Sequence, residues 1–339
     1  MKILIIGGTR FIGLATTLAL HRQGHTLAIF NRGKSPTELP ADIQTITGDV
    51  NDLSASRDAL LAFKPDAIWH NIVLHDGHVR DVQAIFGGSG ARFVMTSSVD
   101  VYLAFGRILG SDPGAVLPGE IDESSPLRES RYPYRSAETA PDDIMYRYDK
   151  ILAEAAALDH ADLPGCVVRL PMVIGARDPR RRLLPFVQPM RDQRPAIVLD
   201  AAYARWVSTY GYVENIAHAL TLAIIDVRAN GRIYNACDAS LSTLEMGQQV
   251  KAAMGWGGEF VVLPGDELPE ALRFTGGNAA QDLRVRAQRI VDALGYAPQV
   301  DFAEGIRKTV AWELANPPAE PRDLVNYAAE DEVLARHKS

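Results

Sequence analysis

The sequence predicts an α/β protein built on a doubly wound, mainly parallel sheet, with a smaller C-terminal α+β part. Two observations carry this prediction. In the first half of the chain, short runs of β-branched residues alternate with amphipathic segments of helical length. A glycine-rich turn also separates the first such run from the first amphipathic segment. Alternation of this kind requires crossover connections, which are typical of parallel sheets covered by helices.

The individual elements follow from the same alternation. Five strands are predicted in the first half: Lys2–Ile6, 26–30, 43–47, Ala67–His70 and 92–96. The helices predicted between them cover 11–23 and 54–63. Strand signals are fewer in the second half, where we expect strands over 166–169, 231–235 and Glu259–Leu263. The helices expected there cover 241–254, 282–294 and Phe302–Ala315.

The segment between these halves is irregular. From residue 99 to residue 141 Gly, Pro and Ser recur, and the sequence predicts one long loop. A loop of this length in a compact domain usually serves as a lid or a binding loop, so we expect residues 99–141 to enclose a substrate. A helix is predicted next, over residues 142–158, because Pro141 and two acidic residues stand near its first turn.

The glycine-rich turn is the strongest single signal. It follows the first strand and opens the first helix, which is where a phosphate-binding turn lies in a Rossmann-type dinucleotide fold. Gly7 permits the tight turn, Gly8 lets the backbone approach a diphosphate, and Gly13 allows close helix packing. The predicted cofactor-binding residues of this turn are Gly7, Gly8, Thr9, Arg10, Phe11, Ile12 and Gly13. A strand-turn-helix without a ligand is the alternative.

The end of the second strand indicates which cofactor is bound. A site specific for NAD has an acidic residue there that holds the ribose 2′-hydroxyl, whereas a 2′-phosphate requires a cation. This chain has Asn31 in that place, followed by Arg32 and Lys34. The sequence therefore predicts NADP, with NAD as the alternative, unless the segment is only a solvated basic turn. Asp49 follows the third strand, from where its side chain could reach the adenine.

Composition excludes several classes of protein. The chain has 339 residues, of which 47% are apolar and 23% charged, which is typical of a globular protein and excludes a disordered or fibrous one. No apolar run approaches the ~20 residues of a membrane span, so no membrane partner is expected. The net charge of −7 disfavours general nucleic-acid binding. Cys166 and Cys237 form no disulfide framework, so we expect a reducing cytoplasm.

Hydroxyl and amino groups indicate acid–base chemistry. Tyr146 and Lys150 are four residues apart, which places them on one face of the predicted helix. A phenol has a pKa of about 10, and a neighbouring ammonium would lower it and prepare the phenolate. Ser98 follows the predicted strand 92–96, where its hydroxyl would lie over the carboxyl edge of the sheet. Thr96 and Ser97 are alternatives to Ser98.

Three weaker signals remain open. His75, Asp76 and His78 lack further ligands at a suitable spacing, so no metal is predicted and a substrate-contacting loop is preferred. Tyr132, Tyr134 and Arg135 would either contact substrate or anchor the long loop. The arginines of the basic cluster would bind a small anion or form a solvated turn: Arg180, Arg181 and Arg182.

Taken in chain order, the glycine turn, Ser98 and the Tyr-x-x-x-Lys motif resemble the short-chain dehydrogenase/reductase superfamily, in its extended NAD-dependent epimerase/dehydratase branch. The resemblance runs from Met1 to about Gln249 and includes three further segments: Arg169-Leu170-Pro171 with Gly175, Tyr212 to Ala217, and Tyr234-Asn235-Ala236. It implies that Tyr146 is the general acid/base, that Lys150 binds the nicotinamide ribose, and that Ser98 hydrogen-bonds the reacting group. It also places Pro171 beside the cofactor.

Some positions depart from the usual pattern of that branch. Arg10 stands where many members have glycine, and Met172 where sugar-nucleotide epimerases commonly have Asn. The glycine turn and the following Asn-Arg-Gly are similar to an atypical subgroup that includes chloroplast stem-loop RNA-binding proteins. A nucleotide-sugar substrate is therefore not implied, whereas the redox machinery is.

The resemblance implies an enzyme with a dinucleotide-binding part over residues 1–170 and a mainly substrate-binding part over 171–339, some of which returns to the first sheet. We expect an NADP(H)-dependent oxidoreductase or epimerase/dehydratase acting on a hydroxyl or carbonyl of a small polar, sugar-like substrate. A homodimer is compatible with this expectation. The alternatives are a non-catalytic cofactor-binding sensor or scaffold and an RNA-binding relative of the same fold.

Overall fold

The structure is a computed structural model that describes residues 1–35, 39–318 and 325–337. The strands in these ranges are β1 (Lys2–Ile6), β2 (Thr26–Asn31), β3 (Gln44–Thr47), β4 (Ala67–His70), β5 (Arg92–Ser98), β6 (Gly165–Leu170), β7 (Met172–Ile174), β8 (Ala196–Asp200), β9 (Val207–Tyr212), β10 (Ile233–Asn235), β11 (Ala239–Ser242) and β12 (Glu259–Leu263).

The α-helices in the same ranges are α1 (Phe11–Arg22), α2 (Arg57–Phe63), α3 (Asp76–Phe86), α4 (Leu103–Leu109), α5 (Lys150–Leu158), α6 (Leu184–Arg191), α7 (Ala201–Arg205), α8 (Val213–Ile225), α9 (Thr243–Met254), α10 (Gln288–Leu294), α11 (Phe302–Ala315) and α12 (Tyr327–His337). None of these helices combines the length and the apolar character that crossing a bilayer requires.

The central sheet has seven parallel strands in the order β3-β2-β1-β4-β5-β6-β10. This confirms the predicted α/β class with a doubly wound parallel sheet. The order of the strands reverses between β1 and β4. In open sheets of this kind, ligands bind in the crevice at the carboxyl ends of the strands where the order reverses. The residues that follow β1, β2 and β4 are therefore expected to line a ligand site.

Both faces of the central sheet are buried. Ile3 and Ile5 of β1 belong to an apolar cluster on one face, which includes side chains of α8. Leu4 and Ile6 belong to a second cluster on the other face, with side chains of α3 and α5. Strands buried on both faces read as continuous apolar runs, which is why the sequence revealed them.

The C-terminal part is built on smaller sheets. One sheet has the order β11-β9-β7, and a parallel pair is formed by β8 and β12. A separate apolar core joins these strands to α6, α9 and α11. Strand β10 instead pairs with β6 of the central sheet. Sequence analysis did not predict β7, β8, β9 or α8.

Two predicted helices are wrong in extent. The helix expected over residues 282–294 begins only at Gln288, and Leu283 and Val285 instead form isolated bridges with Ser208 and Ile121. The helix expected over 142–158 begins at Lys150. Its N-cap is Asp149, whose carboxylate accepts hydrogen bonds from the backbone N–H groups of Ile151 and Leu152 at 3.0 and 3.4 Å.

The segment 99–141 is less irregular than predicted. It contains a short 3₁₀ turn over Val99–Val101, followed by α4. Tyr102 and Ile121 belong to a small apolar cluster that also includes Ile151 of α5 and, from the C-terminal part, Leu283 and Val285. Arg128 is buried and donates hydrogen bonds to the carbonyl oxygens of Asp100 and Ser130. This segment is therefore a packed layer over one end of the sheet.

A buried ion pair joins α5 to the sheet. The Glu154 carboxylate accepts hydrogen bonds from Arg169 Nη2 at 2.7 Å and from Arg169 Nε at 3.0 Å. The Ser97 hydroxyl donates to the same carboxylate. Glu154 is 3% and Arg169 1% exposed, so removal of one partner leaves the other charge buried. The pair thus links α5, β5 and β6.

We predict that Glu154→Ala lowers the free energy of unfolding by about 3–5 kcal/mol, because the Arg169 charge stays buried without its partner. Urea unfolding followed by circular dichroism measures the loss. The matched control is Glu304→Ala, which removes an ion pair with Arg307 on the surface of α11 and should have little effect. A loss below about 1 kcal/mol for Glu154→Ala would contradict the prediction.

Candidate active site

A first cavity of about 470 Å³ lies at the carboxyl ends of β1, β2, β3 and β4. Of the predicted cofactor-binding residues, those lining it are Gly7, Thr9, Arg10, Asn31, Arg32, Lys34, Asp49 and Lys150. Lining residues that the sequence did not single out include Asn51, Asn71, Val73, Leu74 and Ile144. The predicted residues outside this lining are Gly8, Phe11, Ile12, Gly13, Pro171 and Tyr146.

The glycine turn leaves the N-terminus of α1 open. Gly7 has a φ of +92°, and a Cβ there would lie 2.9 Å from Ile72 Cγ2. A Cβ on Gly13 would lie 2.2 Å from the carbonyl oxygen of Gly7, so only glycine permits this approach of helix and strand. Among the described residues, no side chain caps the N-terminus of α1. Its free N–H groups and the helix dipole form a site for an anion.

Three cations lie at the β2 end of the first cavity. Arg10, Arg32 and Lys34 line it, and all three are exposed. The side chain of Asn31 accepts a hydrogen bond from the N–H of Gly33 at 2.6 Å and so shapes the turn. Because Asn31 is neutral, no carboxylate follows β2 at this position.

His78 lines the first cavity from α3. The N–H of Leu74 donates to its Nδ1 at 3.3 Å, and its Nε2 lies 3.1 Å from Asn51 Oδ1. Burial and the neighbouring His75 lower the pKa of His78 to about 4, so the ring is neutral near pH 7. No group of three or more metal-ligating side chains occurs in the described ranges. His78 therefore shapes the cavity wall.

A second cavity of about 790 Å³ lies beside the first. Its lining is mostly hydroxyl and charged groups: Ser98, Asp100, Tyr134, Ser136, Glu138, Thr139, Asp143, Met145, Tyr148 and Arg180. Ile144 lines the first cavity and Met145 the second. Lys150 Nζ is 5.7 Å from the centre of the Tyr148 ring. The two cavities therefore meet along residues 144–150.

All three hydroxyls at the end of β5 have hydrogen-bond partners in the structure. Thr96 Oγ1 donates to Asn71 Oδ1 at 3.2 Å and accepts from the indole of Trp69. Ser97 binds the Glu154 carboxylate. Ser98 Oγ accepts a hydrogen bond from the backbone N–H of Asp100 at 3.2 Å, and of the three residues only Ser98 lines the second cavity. The geometry therefore favours Ser98 over its two alternatives.

Lys150 lines the first cavity, beside the segment where the two cavities meet. It is 5% exposed, and its Nζ donates to the carbonyl oxygens of Val73 and, at 3.0 Å, Thr96. Burial lowers the pKa of its ammonium group to about 8, although the nearby carboxylates of Asp100 and Glu154 oppose this shift. Lys150 is thus a fixed hydrogen-bond donor at the junction.

The structure does not place Tyr146 on the helix face of Lys150, because α5 begins only after it. The Tyr146 ring lies 4.1 Å from the Arg135 guanidinium, which also stacks on Tyr132 at 3.8 Å. Arg135 Nε donates to the Tyr146 carbonyl oxygen at 2.8 Å. Tyr132 and Arg135 therefore anchor the loop, whereas Tyr134 lines the second cavity. The catalytic role of Tyr146 stays a prediction.

The three arginines of the basic cluster, like the residues of the long loop, have different surroundings. Arg181 forms a buried ion pair with Glu313, and Arg182 binds Asp178 at 2.7 Å. Arg180 lines the second cavity. The cluster is thus neither a uniform anion site nor only a solvated turn.

We predict that Gly13→Ala lowers the affinity for NADH and NADPH at least about tenfold, which corresponds to about 1.4 kcal/mol. The added Cβ meets the Gly7 carbonyl oxygen and forces the turn away from the helix N-terminus. Fluorescence titration measures the dissociation constants. Gly257→Ala is the matched control, since a Cβ there meets no atom within 4 Å and its φ is not left-handed. Affinity within about twofold of the wild-type value would refute the role of Gly13.

Comparison with known proteins agrees with this geometry. The sequence profile of the NAD dependent epimerase/dehydratase family matches residues 3–237. A dTDP-glucose 4,6-dehydratase of Streptomyces niveus is 24% identical over 346 residues, with 92% of each chain covered. The chloroplast stem-loop binding protein of 41 kDa b of Arabidopsis thaliana is 32% identical over 147 residues, which is 38% of each chain.

Solved structures show the same fold. The dTDP-glucose 4,6-dehydratase from Bacillus anthracis, in complex with NAD, aligns with a TM-score of 0.69 and 16% identity, over 93% of this chain and 97% of that one. The UDP-glucose 4-epimerase from Thermotoga maritima, with UDP-glucose, aligns with a TM-score of 0.68 and 17% identity, over 93% and 99%. The family profile covers well over half of the chain, which confirms the resemblance seen in the sequence and the predicted enzyme class. The protein belongs to the NAD dependent epimerase/dehydratase family of enzymes.

Proposed function

We propose that the protein is an NADP(H)-dependent enzyme that interconverts a hydroxyl and a carbonyl group on a small, sugar-like substrate, as an oxidoreductase or within an epimerase or dehydratase reaction. The observation that supports this proposal is the junction of two cavities at Lys150. One cavity has the open helix N-terminus and the cations, and the other has a hydroxyl-rich lining with Ser98 at its wall.

The first cavity fits a dinucleotide. A Cβ on Gly7 or on Gly13 would lie too close to a neighbouring atom, so both positions require glycine. The N-terminus of α1 has free N–H groups for a diphosphate. The choice of NADP over NAD is supported by Arg10, Arg32 and Lys34 beside the neutral Asn31. A 2′-phosphate would meet cations there, and the 2′-hydroxyl of NAD would lack the usual carboxylate.

We predict that Arg32→Ala weakens NADPH binding roughly ten- to a hundredfold while changing NADH binding little. Only NADPH loses a charge-assisted hydrogen bond, which is worth about 1.5–3 kcal/mol. Fluorescence titrations with both cofactors measure the difference. The matched control is Arg22→Ala, an exposed arginine in the last turn of α1. Equal losses for the two cofactors would remove the support for NADP.

The residues at the junction have distinct proposed roles. A bound nicotinamide would supply or accept the hydride. Lys150, held by the carbonyl oxygens of Val73 and Thr96, would donate a hydrogen bond to the nicotinamide ribose. Ser98 would hydrogen-bond the reacting oxygen. Tyr146, the predicted acid/base, would have to leave its contact with Arg135 to reach that oxygen.

The lining of the second cavity is suited to a polyhydroxylated substrate. Its lining offers hydroxyl, carboxylate and guanidinium groups within about 790 Å³, which is large enough for a sugar-sized molecule. Relatives whose names specify dTDP-glucose and UDP-glucose agree with a sugar-like substrate. The division at residue 170, the homodimer and the cytoplasmic location stay predictions.

A second candidate function is RNA binding. It is favoured by one observation, the 32% identity to the chloroplast stem-loop binding protein over 147 residues. The net charge of −7 does not favour it.

Three measurements on the purified protein separate these functions. We expect fluorescence titration to show NADPH binding, and mixing of the NADPH-loaded protein with a panel of aldoses and ketoses to reduce nicotinamide absorbance in a single turnover. Tight cofactor binding with no absorbance change for any compound would favour a scaffold. A salt-dependent gel shift of an RNA stem-loop, without cofactor binding, would favour the RNA-binding alternative.

A further inference from the structure

We infer that helix α5 has two alternative starts, and that Arg135 and Asp143 are positioning residues that decide between them. In the observed short form the helix begins at Lys150, and Tyr146 lines neither cavity. In a long form, which begins at Ile144, Tyr146 and Lys150 share one helix face. The inference rests on the proposed function, because it states when the predicted acid/base reaches the reacting group.

The first evidence is a second helix cap that is already formed. The Asp143 carboxylate accepts a hydrogen bond at 2.7 Å from the backbone N–H of Met145, two residues further on, as the side chain of an N-cap does. The carbonyl oxygen of Asp143 accepts the N–H of Tyr146 at 3.0 Å, which is the hydrogen bond of a 3₁₀ turn. A helix that begins at Ile144 would therefore find its N-cap in place.

The second evidence is the contact that holds the short form. The guanidinium group of Arg135 lies 3.8 Å from the centre of the Tyr132 ring and 4.1 Å from the centre of the Tyr146 ring. Its Nε also donates to the carbonyl oxygen of Tyr146 at 2.8 Å. In an α-helix through these residues, that oxygen accepts the N–H of Lys150, four residues further on. Arg135 therefore occupies the acceptor that the long form needs.

Two backbone N–H groups favour the long form. Those of Arg147 and Lys150 have no hydrogen-bond acceptor among the described residues. In the long form they donate to the carbonyl oxygens of Asp143 and Tyr146, because each acceptor lies four residues earlier. The N–H groups that the Asp149 carboxylate caps find acceptors one turn earlier in the same way. Extension therefore exchanges hydrogen bonds and adds two within the chain, at the cost of the arginine stack.

The long form also changes which tyrosine faces the second cavity. In the short form the buried Tyr148 lies beside Ser98, and its hydroxyl donates to Asp100 Oδ2 at 2.6 Å. Successive residues of an α-helix are turned by about 100°, so Tyr148 points about 200° away from Lys150 in a continuous helix, whereas Tyr146 shares its face. Extension therefore withdraws Tyr148 from Ser98 and brings Tyr146 toward it.

A bound dinucleotide favours the long form. Ile144 lines the first cavity, although 69% of its surface is exposed. A dinucleotide in that cavity would cover this apolar side chain, and the burial of apolar surface is favourable. Contact with Ile144 orders the segment through which the helix extends, so the ligand binds one form better and shifts the equilibrium toward it. Tyr146 is then placed only when the hydride carrier is bound.

Hydrogen exchange of the full chain, followed by mass spectrometry over residues 143–150, tests the two forms with and without NADPH. We expect NADPH to slow exchange in this segment of the wild-type protein at least about tenfold. Asp143→Ala should lose this effect. Asp143→Asn should keep it, because asparagine caps a helix as well as aspartate does. NADPH binding without slower exchange in the wild type, or equal slowing in the alanine and asparagine variants, would overturn the inference.

Arg135→Ala tests the inference without a cofactor. Loss of the stack should slow exchange over residues 143–150 in the ligand-free protein. It should also tighten NADPH binding roughly two- to tenfold, because more of the protein is then in the binding form. The matched control is Arg131→Ala, which should change neither quantity, since Arg131 Nη1 donates to carbonyl oxygens of residues 128–130 in the same segment.

The outcomes separate this inference from the proposed function. Unchanged or faster exchange in ligand-free Arg135→Ala would overturn the two starts of α5, whatever the protein binds. Slower exchange in Arg135→Ala, in a protein that binds neither NADPH nor NADH, would instead support the two starts and refute the proposed function.

Discussion

The geometry of the site depends on the carboxylate of Asp149. It is fully buried and accepts backbone hydrogen bonds from Ile151, Leu152 and Tyr132. The backbone N–H of Asp149 donates a hydrogen bond to the carbonyl oxygen of Leu74, which follows β4. A capping carboxylate typically contributes about 1 kcal/mol, and burial makes its loss costlier. Asp149 therefore fixes where α5 begins and ties that point to Leu74 in the wall of the first cavity and to Tyr132 of the long loop.

This constraint decides which side chains reach the junction. Lys150, the first residue of α5, is directed to the carbonyl oxygens of Val73 and Thr96. One turn further, Glu154 binds Arg169 on β6 and Ser97 on β5. The helix is thus held at both of these positions by buried polar contacts with the central sheet. Continuing the helix back to Tyr146 would require breaking the hydrogen bonds of the Asp149 cap.

The sequence predicts those parts of the molecule whose structure is determined by residues close together in the chain. The central strands are continuous apolar runs, and the glycines of the turn are required by close approaches within a few residues. The start of α5 is different, because Pro141 and the following acidic residues are as good a start signal as Asp149. The burial of Asp149 against Tyr132 is a tertiary contact that spacing does not reveal. For the same reason the Tyr-x-x-x-Lys spacing does not reveal that Tyr146 lies outside α5.

The second half of the chain was harder to predict for another reason. Strand β7 has three residues, too few for a recognisable period. Helix α8 is apolar on most of its surface because it packs between the central sheet and α1, so it has little amphipathic contrast. The segment 282–294 carries a helical pattern, yet Leu283 and Val285 are drawn into bridges with Ser208 and Ile121. Tertiary pairing outweighs the local preference there.

Charge is distributed unevenly along the cleft, and this distribution has a functional consequence. The β2 end carries Arg10, Arg32 and Lys34, whereas the second cavity carries Asp100, Glu138 and Asp143 with Arg180 as a cation among its lining residues. A dinucleotide with several phosphates is attracted to the first end, and an anionic substrate gains less at the second. A neutral, hydroxyl-rich substrate could donate hydrogen bonds to those carboxylates without charge repulsion.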